Sequence, residues 1–204
     1  MIEVFDCEQN SEAWHALRRG LVTGSQFATV LAHGKGGKSD PSVLRRKYML
    51  TLISDRMGGA PTDGYSNFHM ERGKAMEAEA LNLYALMQDT APQRVGFVKN
   101  GPDVGCSPDA FVDMNGMAQV KTALPHIQLE RVLKQELPVE HIPQLQGELW
   151  VCEREWNDFI SYWPGLPLMV VRVYRDETAI KSIELGVEMF LNEMFELMAR
   201  LEAA

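Results

Sequence analysis

Gly105-Cys106-Ser107-Pro108-Asp109-Ala110-Phe111-Val112-Asp113-Met114-Asn115-Gly116-Met117-Ala118-Gln119-Val120-Lys121-Thr122 is the stretch on which the reading of this chain turns. Two strand-like segments, 110–114 and 117–122, flank the turn residues Asn115-Gly116, which predicts an antiparallel hairpin. If residues 114–116 form a three-residue loop with Gly116 in the left-handed bulge position, Asp113 pairs with Met117, Phe111 with Gln119 and Asp109 with Lys121. Asp109, Gln119 and Lys121 then share one face. A two-residue Asn-Gly turn would pair Met114 with Met117 and send Asp109 to the opposite face, because strand side chains alternate. A site built on these residues therefore depends on the register.

Outward from the hairpin, strand-like character extends back to 94–98, so the middle of the chain reads as an antiparallel meander. Upstream, Ser11 is placed to cap a first helix, Ser25 a second, and Asp40-Pro41 a third that ends at Gly58-Gly59. From His69 to Gln88 the residues Met76, Ala80, Leu83, Tyr84 and Met87 recur at helical spacing. Downstream, helices are expected over 127–136 and 143–152, strands over 158–163 and 168–174, and an amphipathic helix from Glu184 to Leu201 carrying Leu185, Met189, Phe190, Met194 and Leu197. This order predicts an α+β (mixed α/β) fold with a mixed sheet, and 204 residues without a linker or repeat suit one domain, 1–204.

With 46% hydrophobic and 24% charged residues the composition is that of a globular protein, and no apolar run reaches the roughly 20 residues needed to cross a bilayer. The start Met1-Ile2-Glu3-Val4-Phe5-Asp6 does not resemble a signal peptide, so the expected location is cytoplasmic, with no membrane contact. Cys7, Cys106 and Cys152 form no CxxC pair, which argues for reduced thiols over a disulfide framework or a zinc cluster. The net charge of −8 means that any contact with DNA phosphates must be local. Lys35, Lys38, Arg45, Arg46 and Lys47 are the best local supply, and they suit a solvated face as well as a DNA-facing one. His33-Gly34-Lys35-Gly36-Gly37-Lys38-Ser39 resembles the end of a P-loop, but Ala32 stands where the first glycine belongs. No HExxH or GxSxG occurs, which excludes the common zinc-hydrolase and serine-hydrolase signatures.

Phosphodiester cleavage needs a hard cation held by oxygens, an activated water and positive charge near the developing oxyanions. Asp109 and Lys121 supply two of these parts. Glu77, beside Ala80, Leu81 and Tyr84 on the inner side of its helix, is a third candidate, because a carboxylate at the edge of an apolar stripe is costly unless paired. Singly, each residue also has a duller reading: an Asp after Pro opens turns, a Lys in a strand guards an edge, and a helical Glu is solvated.

Jointly, these residues resemble the Pro-Asp…(Glu)-x-Lys nuclease superfamily, and within it phage lambda exonuclease and the YqaJ-like viral recombinases. The resemblance covers most of the chain: Trp14 to Ser25 is similar to an opening motif, Gly73-Lys74-Ala75-Met76-Glu77 to a helical carboxylate motif, Cys106-Ser107-Pro108-Asp109 with Val120-Lys121 to the hairpin, and Gln144-Leu145-Gln146 with Trp150-Val151 to a glutamine-bearing helix. It implies a restriction-endonuclease-like core, a central mixed β-sheet flanked by helices. It further implies that Glu77, Asp109, the side chain at 119 and the carbonyl of Val120 hold Mg²⁺ (or Mn²⁺ in its place), that Lys121 is the catalytic lysine, and that Gln144 supports the attacking water. Arg18, Ser25 and Ser107 would receive a 5′-phosphate, and Lys35, Lys38 and Arg45 would contact DNA. The implied activity is ATP-independent 5′-to-3′ digestion of linear double-stranded DNA by a homotrimeric ring that hands its 3′ strand to a single-strand annealing protein.

The chain departs from the pattern at one position: Gln119 stands where the family has glutamate. The amide oxygen can still ligate a metal, but one negative charge is lost, which implies weaker Mg²⁺ binding and impaired turnover. Two other readings stay open, a structure-specific or restriction-like endonuclease and a non-catalytic DNA-end binding protein.

Overall fold

The computed structural model describes residues 1–34, 37–60 and 68–203, with the backbone path alone at 37–41, 68–72 and 74. Strand β1 (Ile2–Phe5) leads into α1 (Glu12–Arg18), β2 (Val22–Thr23), a 3-10 turn (Gly24–Gln26), α2 (Phe27–Leu31), the ribbon β3 (His33–Gly34) and β4 (Gly37–Pro41), α3 (Val43–Arg56) and α4 (Phe68–Gln88). Then follow β5 (Gln93–Arg94), β6 (Phe97–Asn100), β7 (Val104–Cys106), β8 (Ala110–Val112), β9 (Gly116–Thr122), α5 (Pro125–Lys134), a second 3-10 turn (Val139–His141), α6 (Ile142–Cys152), β10 (Trp156–Tyr162), β11 (Met169–Tyr174) and α7 (Glu177–Glu202). The mixed α+β class is as expected.

Local chemistry explains most boundaries. Ser11 caps α1 by accepting from the Trp14 amide. The cap of α3 is Ser42, which accepts from the Arg45 amide, and Asp40-Pro41 instead closes β4. Proline holds the residue before it extended, which suits a strand end better than a cap. Ser25 caps nothing, since it lies inside the 3-10 turn before α2. Asp176 accepts from the Thr178 and Ala179 amides and starts α7 earlier than Glu184. The buried stripe of α7 is Ile180, Ile183, Val187, Phe190 and Met194, while Leu185 and Met189 are exposed.

The expected meander is divided between two sheets. One has the order β1-β6-β7-β2, the other β11-β10-β9-β8-β5. The break falls at Ser107-Pro108-Asp109, where proline lacks the N–H that a continued ladder would need. The second sheet is mixed, with β9 antiparallel to β8 and parallel to β10. The hairpin register is Ala110 with Ala118, Phe111 with Met117 and Val112 with Gly116. Its loop is thus 113–115, one residue earlier than expected, and Asp113 takes the left-handed conformation at φ 51°. Gly116 is required for a different reason: a Cβ there would lie 2.1 Å from the Trp156 ring. The pairing slips by two residues from the expected one, so facing is preserved.

Alternation along β9 then separates two layers. Ala118 and Val120 join Met76, Ala80, Leu81 and Tyr84 of α4 in one cluster. Met117, from the other face, packs with Leu149 and Val151 of α6 and with α2, α3 and α7. Gln119 and Lys121 share the parity of Met117 and so lie on the α6 side. On the α4 side, buried Asp158 of β10 accepts from the Tyr84 hydroxyl at 2.7 Å and from Arg172 of β11 at 2.8 Å, and Arg172 stacks 3.6 Å above the Trp156 ring.

Candidate active site

Asp109 ends the crossing between the sheets and is buried. One of its oxygens accepts from the Gln119 amide nitrogen at 2.7 Å and from the Val120 backbone N–H at 2.6 Å. Burial pushes its carboxyl up to about 8, helped by the negative charges of Glu77 and Glu148 and opposed by the Lys121 ammonium and the Val120 N–H. The structure thus gathers Asp109, Gln119, Val120 and Lys121. The amide oxygen of Gln119, Oε1, is buried and has no hydrogen-bond partner among the described residues.

Glu77, on α4, makes an ion pair with Arg94 of β5 at 3.2 Å. Glu77, Arg94 and Asp109 border a cleft of about 390 Å³ whose opposite wall is the segment Asp6 to Asn10. The Glu77 carboxylate therefore reaches the centre from the α4 side.

From the other side comes Glu148, which sequence reasoning missed. It is 1% exposed and sits on α6. Its oxygens accept from the Gln144 amide one turn earlier at 2.7 Å and from the Asn157 amide of β10 at 3.2 Å. Burial raises its carboxyl to about 7, against the Gln144 hydrogen bond and the Lys121 charge. The residues around it in α6 are buried as well, so no polar stripe marks it. The available signal was a carboxylate four residues after Gln144 in an otherwise apolar segment, a placement that is costly without a partner. Gln144, expected to support a water, holds this carboxylate.

Arg18 and Ser107 meet at Trp14, a residue not among the expected site residues. The Arg18 guanidinium lies 3.7 Å over the Trp14 ring, and the Trp14 indole N–H donates to the Ser107 hydroxyl at 2.8 Å. Desolvation pulls the Arg18 guanidinium below its ordinary value. Ser25 is exposed in the 3-10 turn, whose Gly24 packs so closely that a Cβ there would come 3.0 Å from Cys106 and 3.3 Å from Glu148. The DNA-contact candidates fare differently. Lys35 and the Lys38 side chain lie outside the described residues. Arg45 is turned inward: it pairs with Glu193 of α7 at 2.6 Å and donates to the Val30 carbonyl at 3.1 Å, so its charge ties α3 to α7.

Among the described residues no three His, Cys, Asp or Glu side chains form a ready metal-holding group. The donors are nonetheless of the right kind for a hard cation: a buried carboxylate, an unpartnered buried amide oxygen and further carboxylates on either side. Mg²⁺ commonly takes one or two protein carboxylates and fills its remaining positions with water and phosphate oxygens. The residues fit such an ion. The three cysteines are free thiols, with the Cys106 and Cys152 sulfurs 3.4 Å apart, and no helix among the described residues is long and apolar enough to cross a membrane.

Comparison with known proteins bears on the family and the fold. The model of the YqaJ-like viral recombinase domain matches residues 13–155. Among solved structures, the chain resembles the alkaline exonuclease LHK-Exo from Laribacter hongkongensis at 28% identity and TM-score 0.82, covering 95% of this chain and 97% of that one. The same exonuclease in complex with dAMP matches at 30% identity, TM-score 0.84 and equal coverage. A phage-related exonuclease from Haemophilus somnus shares the fold at 14% identity and TM-score 0.68, over 92% of this chain and 99% of that one. No curated protein matches the chain. The core is of the restriction-endonuclease-like kind, and the matches support a nuclease of the lambda-exonuclease type.

Proposed function

Because the chain belongs to the YqaJ-like viral recombinase family, we propose that it is a Mg²⁺-dependent, ATP-independent deoxyribonuclease that digests linear double-stranded DNA from 5′ ends. The observation that carries this reading is the gathering of Asp109, Gln119 and Lys121 on one face of the β8–β9 hairpin, with Asp109 held by the Val120 N–H. Asp109, the Gln119 amide oxygen, the Val120 carbonyl and Glu77 would hold the cation. Bound there, it would polarise the scissile phosphate and its attacking water. Mn²⁺ has the same preference for oxygen donors and would substitute.

The chain's own residues do the rest. The Lys121 ammonium orients the attacking water and offsets charge that develops on the phosphate oxygens. Gln144 fixes Glu148 beside that centre. Arg18 presents a planar fork, and Ser107 and Ser25 present hydroxyls, to the terminal 5′-phosphate. A relative 30% identical was solved with dAMP, a deoxynucleoside monophosphate, which supports a site that receives one nucleotide at an end. We further propose a homotrimeric ring in the cytoplasm that passes its 3′ strand to a single-strand annealing protein; a channel would let a chain of net charge −8 confine its basic residues to the DNA-facing surface.

Taken alone, Gln119 leaves the β9 strand one negative charge short and lowers Mg²⁺ affinity and turnover. The test is digestion of 5′-phosphorylated linear duplex in Mg²⁺ with a covalently closed circle alongside. Loss of the linear substrate alone, from its 5′ ends, supports the exonuclease. Cutting of the circle would make the protein an endonuclease, and tight binding of ends without cleavage, even after Gln119→Glu, a DNA-end binding protein.

A further inference from the structure

We propose that Glu148 supplies the negative charge that position 119 lacks, so that the cation-binding centre of this chain is built from Asp109, the amide oxygen of Gln119 and a carboxylate relocated from the strand to α6. This rests on the nuclease reading above and adds a residue to its site.

Three features of the fold point to it. Glu148 is 1% exposed, yet its hydrogen-bond donors are the neutral amides of Gln144 and Asn157, and no ion pair within 4.0 Å holds it among the described residues. A carboxylate so buried is costly in its charged form, and a bound cation would offset that cost where two amide dipoles do not. Next, the sheet face it covers carries two buried oxygens without hydrogen-bond partners among the described residues, Gln119 Oε1 and Asn157 Oδ1. These two residues share a face because β9 and β10 run parallel with Asn157 beside Met117 and Phe159 beside Gln119. Oxygens left unsatisfied next to a buried carboxylate form the surroundings of a hard cation, where each lone pair would find a partner. Finally, the charges communicate: Glu148 acts on Asp109, and Lys121 acts on both.

Close packing keeps the carboxylate in place. Gly24 brings the 3-10 turn against the Glu148 side chain, and Gly147 admits the Phe27 ring where a Cβ would lie 2.1 Å from it. Glu148 is thus set between the Ser25 turn and the β9 face, with little freedom to swing out to solvent.

The test is Mn²⁺ alone, titrated into the full-length protein with free Mn²⁺ followed by its EPR signal, for the parent, E148Q and the Q119E/E148Q exchange. E148Q is expected to weaken Mn²⁺ binding ~10-fold or more, in the range seen when groups supporting a metal site are removed. The exchange variant, which restores the total charge with the carboxylate on β9, is expected to bind within about threefold of the parent. Unchanged Mn²⁺ affinity in folded E148Q overturns the proposal. If E148Q does not fold, the exchange variant decides, and a folded exchange variant that no longer binds Mn²⁺ overturns it equally. Glu148-dependent Mn²⁺ binding by a parent that leaves linear DNA intact, as does its Q119E variant, would sink the exonuclease reading alone. A parent that digests DNA while E148Q binds Mn²⁺ and digests equally well would sink this inference alone.

Discussion

Trp14 donates its indole N–H to the Ser107 hydroxyl at 2.8 Å, so a residue of the first helix fixes a side chain two positions before Asp109. With the indole as donor, the Ser107 hydroxyl is oriented with its own proton free to point at a phosphate. W14F keeps a ring beneath Arg18 but removes that bond. A neutral hydrogen bond contributes about 0.5–1.5 kcal/mol, so the preference for 5′-phosphorylated over 5′-hydroxyl ends should fall by roughly 2- to 10-fold. Initial rates on the two duplexes measure it, and an unchanged preference would place the phosphate seat elsewhere.

Lys121 is the ammonium whose charge acts on Asp109, Glu148 and His141. K121A should lower cleavage by about 10²-fold or more, the usual loss when a preorganised charge at the reacting centre is removed, while DNA ends remain bound. A filter or anisotropy assay beside the digestion separates the two effects. Equal losses in binding and cleavage would assign Lys121 to substrate holding.

The legibility of this site in the sequence followed from periodicity. Asp109, Gln119 and Lys121 could be put on one face because a hairpin alternates every second residue, and α4 could be read because its apolar residues recur at helical spacing. Glu148 had no such marker, since Leu145, Gln146, Gly147 and Leu149 are buried around it and leave the helix without a polar side. The Trp14–Ser107 bond joins positions 93 apart, and the parallel β9–β10 ladder joins strands separated by a whole helical crossover. No local pattern reports such contacts. Strands of two residues, such as β2 and β5, are too short to show alternation.

His141 carries a pH dependence of stability. Its ring is stacked on Phe159, with Nε2 3.3 Å from the Arg131 guanidinium and 4.0 Å from Glu140. Burial, and then the positive charges of Lys121 and Arg131, lower it to about 4 against the opposing pull of Glu140. The unfolded chain takes up this proton near pH 6.5 and the folded one only near 4. The contribution is therefore fully present above 6.5 and is lost as pH falls towards 4. The midpoint of thermal unfolding should drop less steeply over this window in H141Q than in the parent, and parallel curves would contradict the assignment.

Asp158 is 1% exposed and binds both the Tyr84 hydroxyl and Arg172. D158A would strand both partners between α4 and the sheet. Breaking a buried pair by removing one member costs roughly 3–5 kcal/mol, and the partial exposure of Arg172 puts the expectation at the low end, about 3 kcal/mol. Urea unfolding measures it, and a loss under 1 kcal/mol would show that Arg172 rehydrates freely.

The β8–β9 register bears on which length changes the chain can tolerate. An odd displacement of one strand against the other turns every side chain to the opposite face, whereas an even one keeps the facing and changes only the position along the strand. Insertions in the loop at 113–115 can vary freely so long as the pairing of Ala110 with Ala118 survives. Loss of a single residue between Asp109 and Val112 would instead carry that carboxylate through the sheet to the α4 side, erasing the centre while leaving the hydrophobic composition intact. Deletion scanning across 107–122 should accordingly abolish activity for single-residue losses within β8 or β9 and spare it for length changes confined to 113–115.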